Sequence, residues 1–275
     1  MKLDITNLNG FDHQNRGVGI RNLQLILPSV VCSTHISRRI ANEVGAVTFA
    51  HQHGCAIIGD DVAGIGDYFE SLAAHPNIGS VLIVGLGCET IQGNELAEKL
   101  VAKNSSTNYL IIQESGGVDG TYKNGVKAAE DLQGKYPPKP AKLTSLHIGI
   151  DLSSPNLLAA EVVTSLQSQN VKVTVSSSHK NSGLNFSELM ESGVHLILSF
   201  PDANQPTSGF PFIPVINIAS DSALHTAIAT DFDLPNKSSV DQVIEKIQEV
   251  VAGAGTKVEK MGAGEIITPR VVRSV

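Results

Sequence analysis

The chain contains no tryptophan, and aromatic residues make up only 4% of its 275 positions. A core this poor in rings is filled by small and β-branched side chains, the balance of a sheet covered by helices. Clustered positive charge is also missing. Twenty basic residues face 27 acidic ones, for a net charge of −7, and no run of Lys and Arg occurs. That excludes a nucleic-acid or anionic membrane surface as a partner and leaves small polar or anionic ligands. The N-terminus "MKLDITNLNG" has no apolar signal core. No segment approaches the roughly 20 apolar residues that cross a bilayer, so a cytoplasmic protein without membrane contact is expected. Cysteine is scarce: Cys32, Cys55 and Cys88 are an odd number at wide spacing. A disulfide framework is therefore not expected, and in a reducing compartment all three are free to bind metal or react.

What is present alternates between two periods. "LQLILPSVV" is an apolar run, and Ile36, Ile40 and Val44 of the next segment recur at helical spacing. "AVTFAH" reads as a short strand, "DDVAGIGDYFESLAAH" as a helix and "SVLIVGLG" as a fully buried strand. A helix at "GNELAEKLVAKN", a strand at "NYLIIQ" and a helix at "GTYKNGVKAAEDLQ" complete about four β/α repeats of a parallel sheet. The proline-rich "GKYPPKPAK" separates this half from another with strands at "SLHIGID", "VKVTVSS", "VHLILSF" and "IPVINIAS". Ser239 is placed to cap a closing helix that Gly253 ends. The expected fold is α/β: two Rossmann-like halves with mainly parallel sheets, over residues 1–134 and 143–275. No sequence repeat relates the halves.

In open parallel sheets, ligands bind beyond the carboxyl ends of the strands. The conspicuous polar residues of the first half fall there. Cys32 and Ser33 follow the first strand, and His51, His53 and Cys55 follow the second. Cys88, Glu89 and Gln92 follow the third, and Gln113, Glu114, Gly116 and Gly117 the fourth. Each has a plainer reading. A free cysteine is often just a small buried hydrophobe, and Glu89 and Glu114 each precede a helical run whose dipole favours a carboxylate. The clustering carries more weight than any member. "GLGCET" is not a dinucleotide fingerprint, because Thr90 stands where the third glycine belongs and the next strand ends in Gln113 rather than an acid. No G-x-S-x-G elbow or P-loop occurs either.

The strings "NRGVGIRNLQLILPSVVCS", "HQHGC", "HPNIGSVLIVGLGCETIQ" and "IIQESGG" resemble, in order, the catalytic region of the altronate and galactarate dehydratases, also found as the large subunit of sulfolactate dehydratases. The second half resembles that family only in outline. It reads "IDLSSPN" where the family carries Cys-Gly-Gly-Ser-Asp. The resemblance implies a hydro-lyase that dehydrates a sugar acid or related hydroxy acid. Such a reaction needs an electrophile on the substrate carboxylate, a base for the adjacent proton and an acid for the departing hydroxyl. It implies His51, His53, Glu89 and Glu114 as catalytic groups, and Cys32, His53, Cys55 and Cys88 as metal ligands. Arg21, Asn22, Ser33, Gln92, Gln113, Gly116 and Gly117 would contact substrate. Imidazole and thiolate suit Fe2+, with Mn2+, Zn2+ or an iron–sulfur cluster as alternatives. A separately encoded small β-domain subunit and a homo-oligomer are the expected partners. A non-catalytic relative that binds a small acid or metal is the other reading.

Overall fold

The computed structural model describes residues 1–179, 181–202 and 207–268. They form two compact units that are not sequential halves. The first takes 13–17, 22–139 and the segment from Ile266; the second takes 1–12, 18–21 and 140–265. The expected boundaries miss this exchange, because strands too short to show periodicity bind the N-terminus into the second unit. These are β1 (Asn9–Asp12) and β2 (Val18–Gly19), which pair antiparallel.

The first unit is built on β3 (Leu23–Pro28), whose residues Gln24 to Pro28 are all buried. Helix α1 (Thr34–Val44) presents Ile36 and Ile40 to the core and ends at Gly45, whose left-handed φ of +66° terminates it. Helix α2 (Asp60–Ala74) leads to β4 (Ile78–Gly85), buried along nearly its whole length. Then come α3 (Gly93–Lys103), β5 (Thr107–Ile111) and α4 (Gly117–Lys135). Strands β3, β4 and β5 pair in parallel in that order. The strand expected at "AVTFAH" shrinks to one parallel bridge, Val47 to Leu25, on the free side of β3. The ladder stops because the next acceptor, the Ile26 carbonyl, is taken by the Thr48 hydroxyl at 2.7 Å rather than by a backbone N–H. The order is thus Val47, β3, β4, β5. The chain moves to one side of β3 and then returns to the other, so a topological switch point lies between β3 and β4. Ile26, Leu82 and Val84 pack with Ile40 of α1 and Ala129 and Leu132 of α4.

Arg16 serves the same unit from a distance in sequence. Its guanidinium donates to the carbonyls of Ala73 (3.4 Å), His75 (3.3 Å) and Ile78, around the end of α2. Cation and helix dipole are matched there, while burial lowers the arginine pKa to about 10.

In the second unit, β6 (Pro140–Lys142) joins β1 on the side away from β2, so the expected linker supplies a strand with proline at its first residue. The larger sheet holds β7 (His147–Leu152), β8 (Lys172–Ser176), β9 (Leu196–Phe200) and β10 (Val215–Asn217), all parallel in the order β10, β9, β7, β8. This is the strand order of the first unit again, without sequence repetition. Ile150 and Leu198 pack with Val162 of α5 (Leu157–Ser168) and Ile247 of α7 (Val240–Val251). Helix α6 (Ser182–Glu191) packs against β7, β8 and β9. Ser239 caps α7 in a full capping box with Gln242, and Gly253 follows at φ +109°.

Two predictions follow from the interiors. Replacing Arg16 with Met removes the charged donor that three carbonyls at the end of α2 share, and is expected to cost about 2 kcal/mol in urea unfolding. His147 is buried, and burial first, then Lys172 and His195, lowers its pKa from 6.5 to about 4. The folded state therefore resists a proton that the unfolded chain accepts. This contribution is complete above pH 6.5 and is lost as pH falls toward 4. The melting temperature should fall over that window, and less steeply in His147→Gln; parallel slopes would contradict the assignment.

Candidate metal and substrate site

Because β3, β4 and β5 run parallel, the turns after them emerge at one edge of the sheet. The turn after β3 carries Cys32, exposed, and Ser33, buried with its hydroxyl donating to the Val30 carbonyl at 2.9 Å. The segment from Ala50 to Ile58 has no regular structure and is tied down by its carbonyls. The His53 carbonyl accepts from Val31 N–H at 2.9 Å. The Cys55 carbonyl accepts from both the N–H (3.0 Å) and the hydroxyl (2.8 Å) of Thr90. These bonds stitch the histidine loop to the turns on either side of it.

The three cysteines consequently lie on neighbouring turns. Cys88 and Cys32 are close enough to the Cys55 thiol to act on its ionisation. Burial first and these two neighbours second raise its pKa to about 11, so it is held as a thiol. Cys88 is exposed, and all three are free. Among the described residues, no group of three or more His, Cys, Asp and Glu side chains is placed to hold a metal ion as the side chains stand. Thiols as a donor class suit a soft metal or a cluster.

His51 is 1% exposed, stacked on Phe49 at 6.3 Å and edge-on to Phe69 at 5.5 Å. Burial first, then His53, lowers its pKa to about 3. Its Nδ1 accepts from His53 N–H at 2.9 Å, so in the neutral ring Nε2 carries the proton. That Nε2 is buried without a hydrogen-bond partner. His51 is thus an N–H donor rather than a ligand. The His53 ring lies edge-on to it at 5.6 Å.

Glu89 is 3% exposed and organises the turn after β4. One carboxylate oxygen accepts from Leu86 N–H and the Ser29 hydroxyl, both at 2.9 Å; the other accepts from Gly87 N–H at 2.6 Å. The carboxylate takes up the donors of the turn that carries Cys88. The Gln92 side chain donates to the Glu89 carbonyl. Gln113 and Glu114 are exposed, and Gly116 and Gly117 both have left-handed φ (+79° and +74°) at the start of α4.

Arg21 and Asn22 do not join this cluster. Both precede β3, whereas the cysteines follow strand ends. Arg21 belongs to the second unit, where it grips both carboxylate oxygens of Glu259 at 2.9 and 3.1 Å. Asn22 abuts Gly79 at the opposite edge of the first sheet, in a cavity of about 240 Å³. In the second unit, Asp151 of "IDLSSPN" is buried and already accepts from Asn185 Nδ2 and the Ser199 hydroxyl, both at 2.7 Å. Sequence reading missed Thr34, whose hydroxyl accepts from His51 N–H at 3.2 Å, and Thr90. Backbone-directed threonines leave no pattern to find.

Residues 10–136 match the family model described as D-galactarate dehydratase/altronate hydrolase, second domain. This segment belongs to that domain family. Altronate dehydratase of Escherichia coli is 30% identical over 152 residues, which cover 50% of this chain and 30% of that protein. Altronate dehydratase of Bacillus subtilis is 31% identical over 135 residues, 45% of this chain and 27% of that protein. The chain thus spans less than a third of the length of these relatives. No helix among the described residues is long and apolar enough to cross a membrane.

The thiol geometry makes a direct prediction. At pH 8 without metal, iodoacetamide should label Cys32 and Cys88 about tenfold faster than Cys55, whose thiolate fraction is suppressed. Peptide mass mapping over time reads this; fastest labelling at Cys55 would contradict it.

Proposed function

We propose that this chain is the large subunit or catalytic domain of a hydro-lyase that removes water from a sugar acid or related hydroxy acid of altronate, galactarate or sulfolactate type. The observation that carries the reading is the nearness of Cys32 and Cys88 to Cys55 within the segment that matches the family model of that domain. Cys32, Cys55 and Cys88, with His53, would hold Fe2+ or an iron–sulfur cluster, with Mn2+ or Zn2+ as alternatives. When bound, that group supplies the Lewis acidity that helps a hydroxyl depart.

The protein groups divide the remaining work. His51 offers its Nε2–H to a substrate oxygen, as a neutral donor that never competes for the proton being moved. Where the thiols alone hold that group, the one basic nitrogen of His53 is left to accept the proton next to the carboxylate. Glu89 acts on chemistry through the Cys88 turn it organises, while exposed Glu114 is placed to exchange protons with substrate or solvent. Gln92, Gln113, Gly116 and Gly117 shape the rim, and Ser33 supports it from within. A small β-domain subunit, a homo-oligomeric assembly and a cytoplasmic setting belong to the same reading. The alternative, a relative that binds a small acid or metal without turnover, draws on Asp151, which offers no open ligand in the segment where the family carries cysteine.

Anaerobically purified protein is expected to carry about one metal ion or one cluster per chain. Cys55→Ser or Cys88→Ser should lose most of it. With the small subunit added, dehydration of altronate, galactarate or sulfolactate should appear and should fall with metal content. Full metal retention in the Cys55→Ser, Cys88→Ser double variant would sink the proposal. Stoichiometric metal without turnover would favour the binding protein.

A further inference from the structure

The loop that carries His51, His53 and Cys55 is gripped from a place in the chain that nothing in its sequence announces. The Gln52 side-chain amide donates to the Ile266 carbonyl at 2.6 Å and to the Ala50 carbonyl at 2.6 Å. Its oxygen accepts from Thr268 N–H at 3.1 Å. Two carbonyls require the NH2 and one N–H requires the oxygen, so the contacts agree on a single orientation of the amide. Ile266 is fully buried and Thr268 is 3% exposed, so the segment is packed and not merely resting on the surface. Its last contact is the informative one: the Thr268 carbonyl lies 3.3 Å from His53 Nε2.

A carbonyl oxygen can only accept, so this contact exists in the neutral ring only when Nε2 carries the proton. The lone pair then resides on Nδ1. A backbone carbonyl on the distal nitrogen is a common way for a protein to fix the tautomer and basicity of a working imidazole. We propose that Ile266–Thr268 is a positioning strap for the site. Through Gln52 and the Thr268 carbonyl it holds His53 as the Nε2–H tautomer, so that Nδ1 is the basic nitrogen of the ring. The use made of Nδ1 rests on the dehydratase reading; the strap and the tautomer do not. Gln52 is thereby a positioning residue, and Thr268 acts through its main chain.

The test uses the full chain labelled with 15N in its histidines, at pH 8 and free of metal. Long-range 1H–15N correlation should show His53 protonated at Nε2, with that proton protected enough from exchange to be observed. In Gln52→Ala and in Thr268→Pro, which lacks the N–H that Gln52 accepts, the proton should broaden beyond detection. Co2+, used as the probe metal, should bind these variants about 10- to 100-fold more weakly. Gln52→Glu, which still accepts from Thr268 but cannot donate to Ile266, covers the case in which Gln52→Ala fails to fold and should lose protection in part. A strap that served stability alone would lower the melting temperature and leave the tautomer and its protection unchanged, which would overturn the proposal. So would a proton on His53 Nδ1 in the unaltered protein. If Co2+ fails to bind the unaltered protein while the Nε2–H signal behaves as described, the metal reading fails and the strap stands.

Discussion

Two backbone carbonyls hold this site together. The His53 carbonyl is bound to the turn after β3 and the Cys55 carbonyl to the turn after β4. Strand pairing by itself would place those turns near each other without fixing the histidine loop between them. The histidine loop has no ladder of its own, since its would-be strand ends at one bridge, so its polar main chain needs partners elsewhere. It finds them in the turns flanking the switch point. The requirement to satisfy the backbone and the convergence of the cysteines are met by the same bonds.

The buried polar groups nearby follow the same economy. Glu89 would be expensive inside the protein if unpaired, but it receives donors from Leu86, Gly87 and Ser29. It works as a fastening for the Cys88 turn. His51 shows the opposite condition. Its ring is held by Phe49, Phe69 and the main chain, yet Nε2 keeps an unanswered proton. A buried donor without a partner costs folding free energy, and proteins retain such a cost where a ligand supplies the missing acceptor.

How far the sequence could be read depends on the range of the interaction. Runs such as "SVLIVGLG" announce a buried parallel strand, and the rule that ligands gather beyond carboxyl ends then groups Cys32, Cys55 and Cys88 without further information. Arg21 and Asn22 enter through resemblance alone; standing before a strand, they do not reach the edge that the cysteines share. Strands β1, β2 and β6 are at most four residues long, too short for a period of two to register. The strap at Ile266–Thr268 lies 214 residues from Gln52, and its grip is through main-chain atoms that every residue possesses. No compositional signal could reveal it.

Gly87 adds a constraint of another kind. Its φ is +119°, and a β-carbon placed there would come within 2.6 Å of the Gln113 side-chain oxygen. Gln113 is exposed and could swing its amide aside, but the positive φ strains any residue with a β-carbon whatever its neighbours do. In evolutionary terms, position 87 is held by the path of its own backbone. Variation at this rim is left to the residues around it, which makes libraries that hold Gly87 constant the efficient instruments for redesigning it.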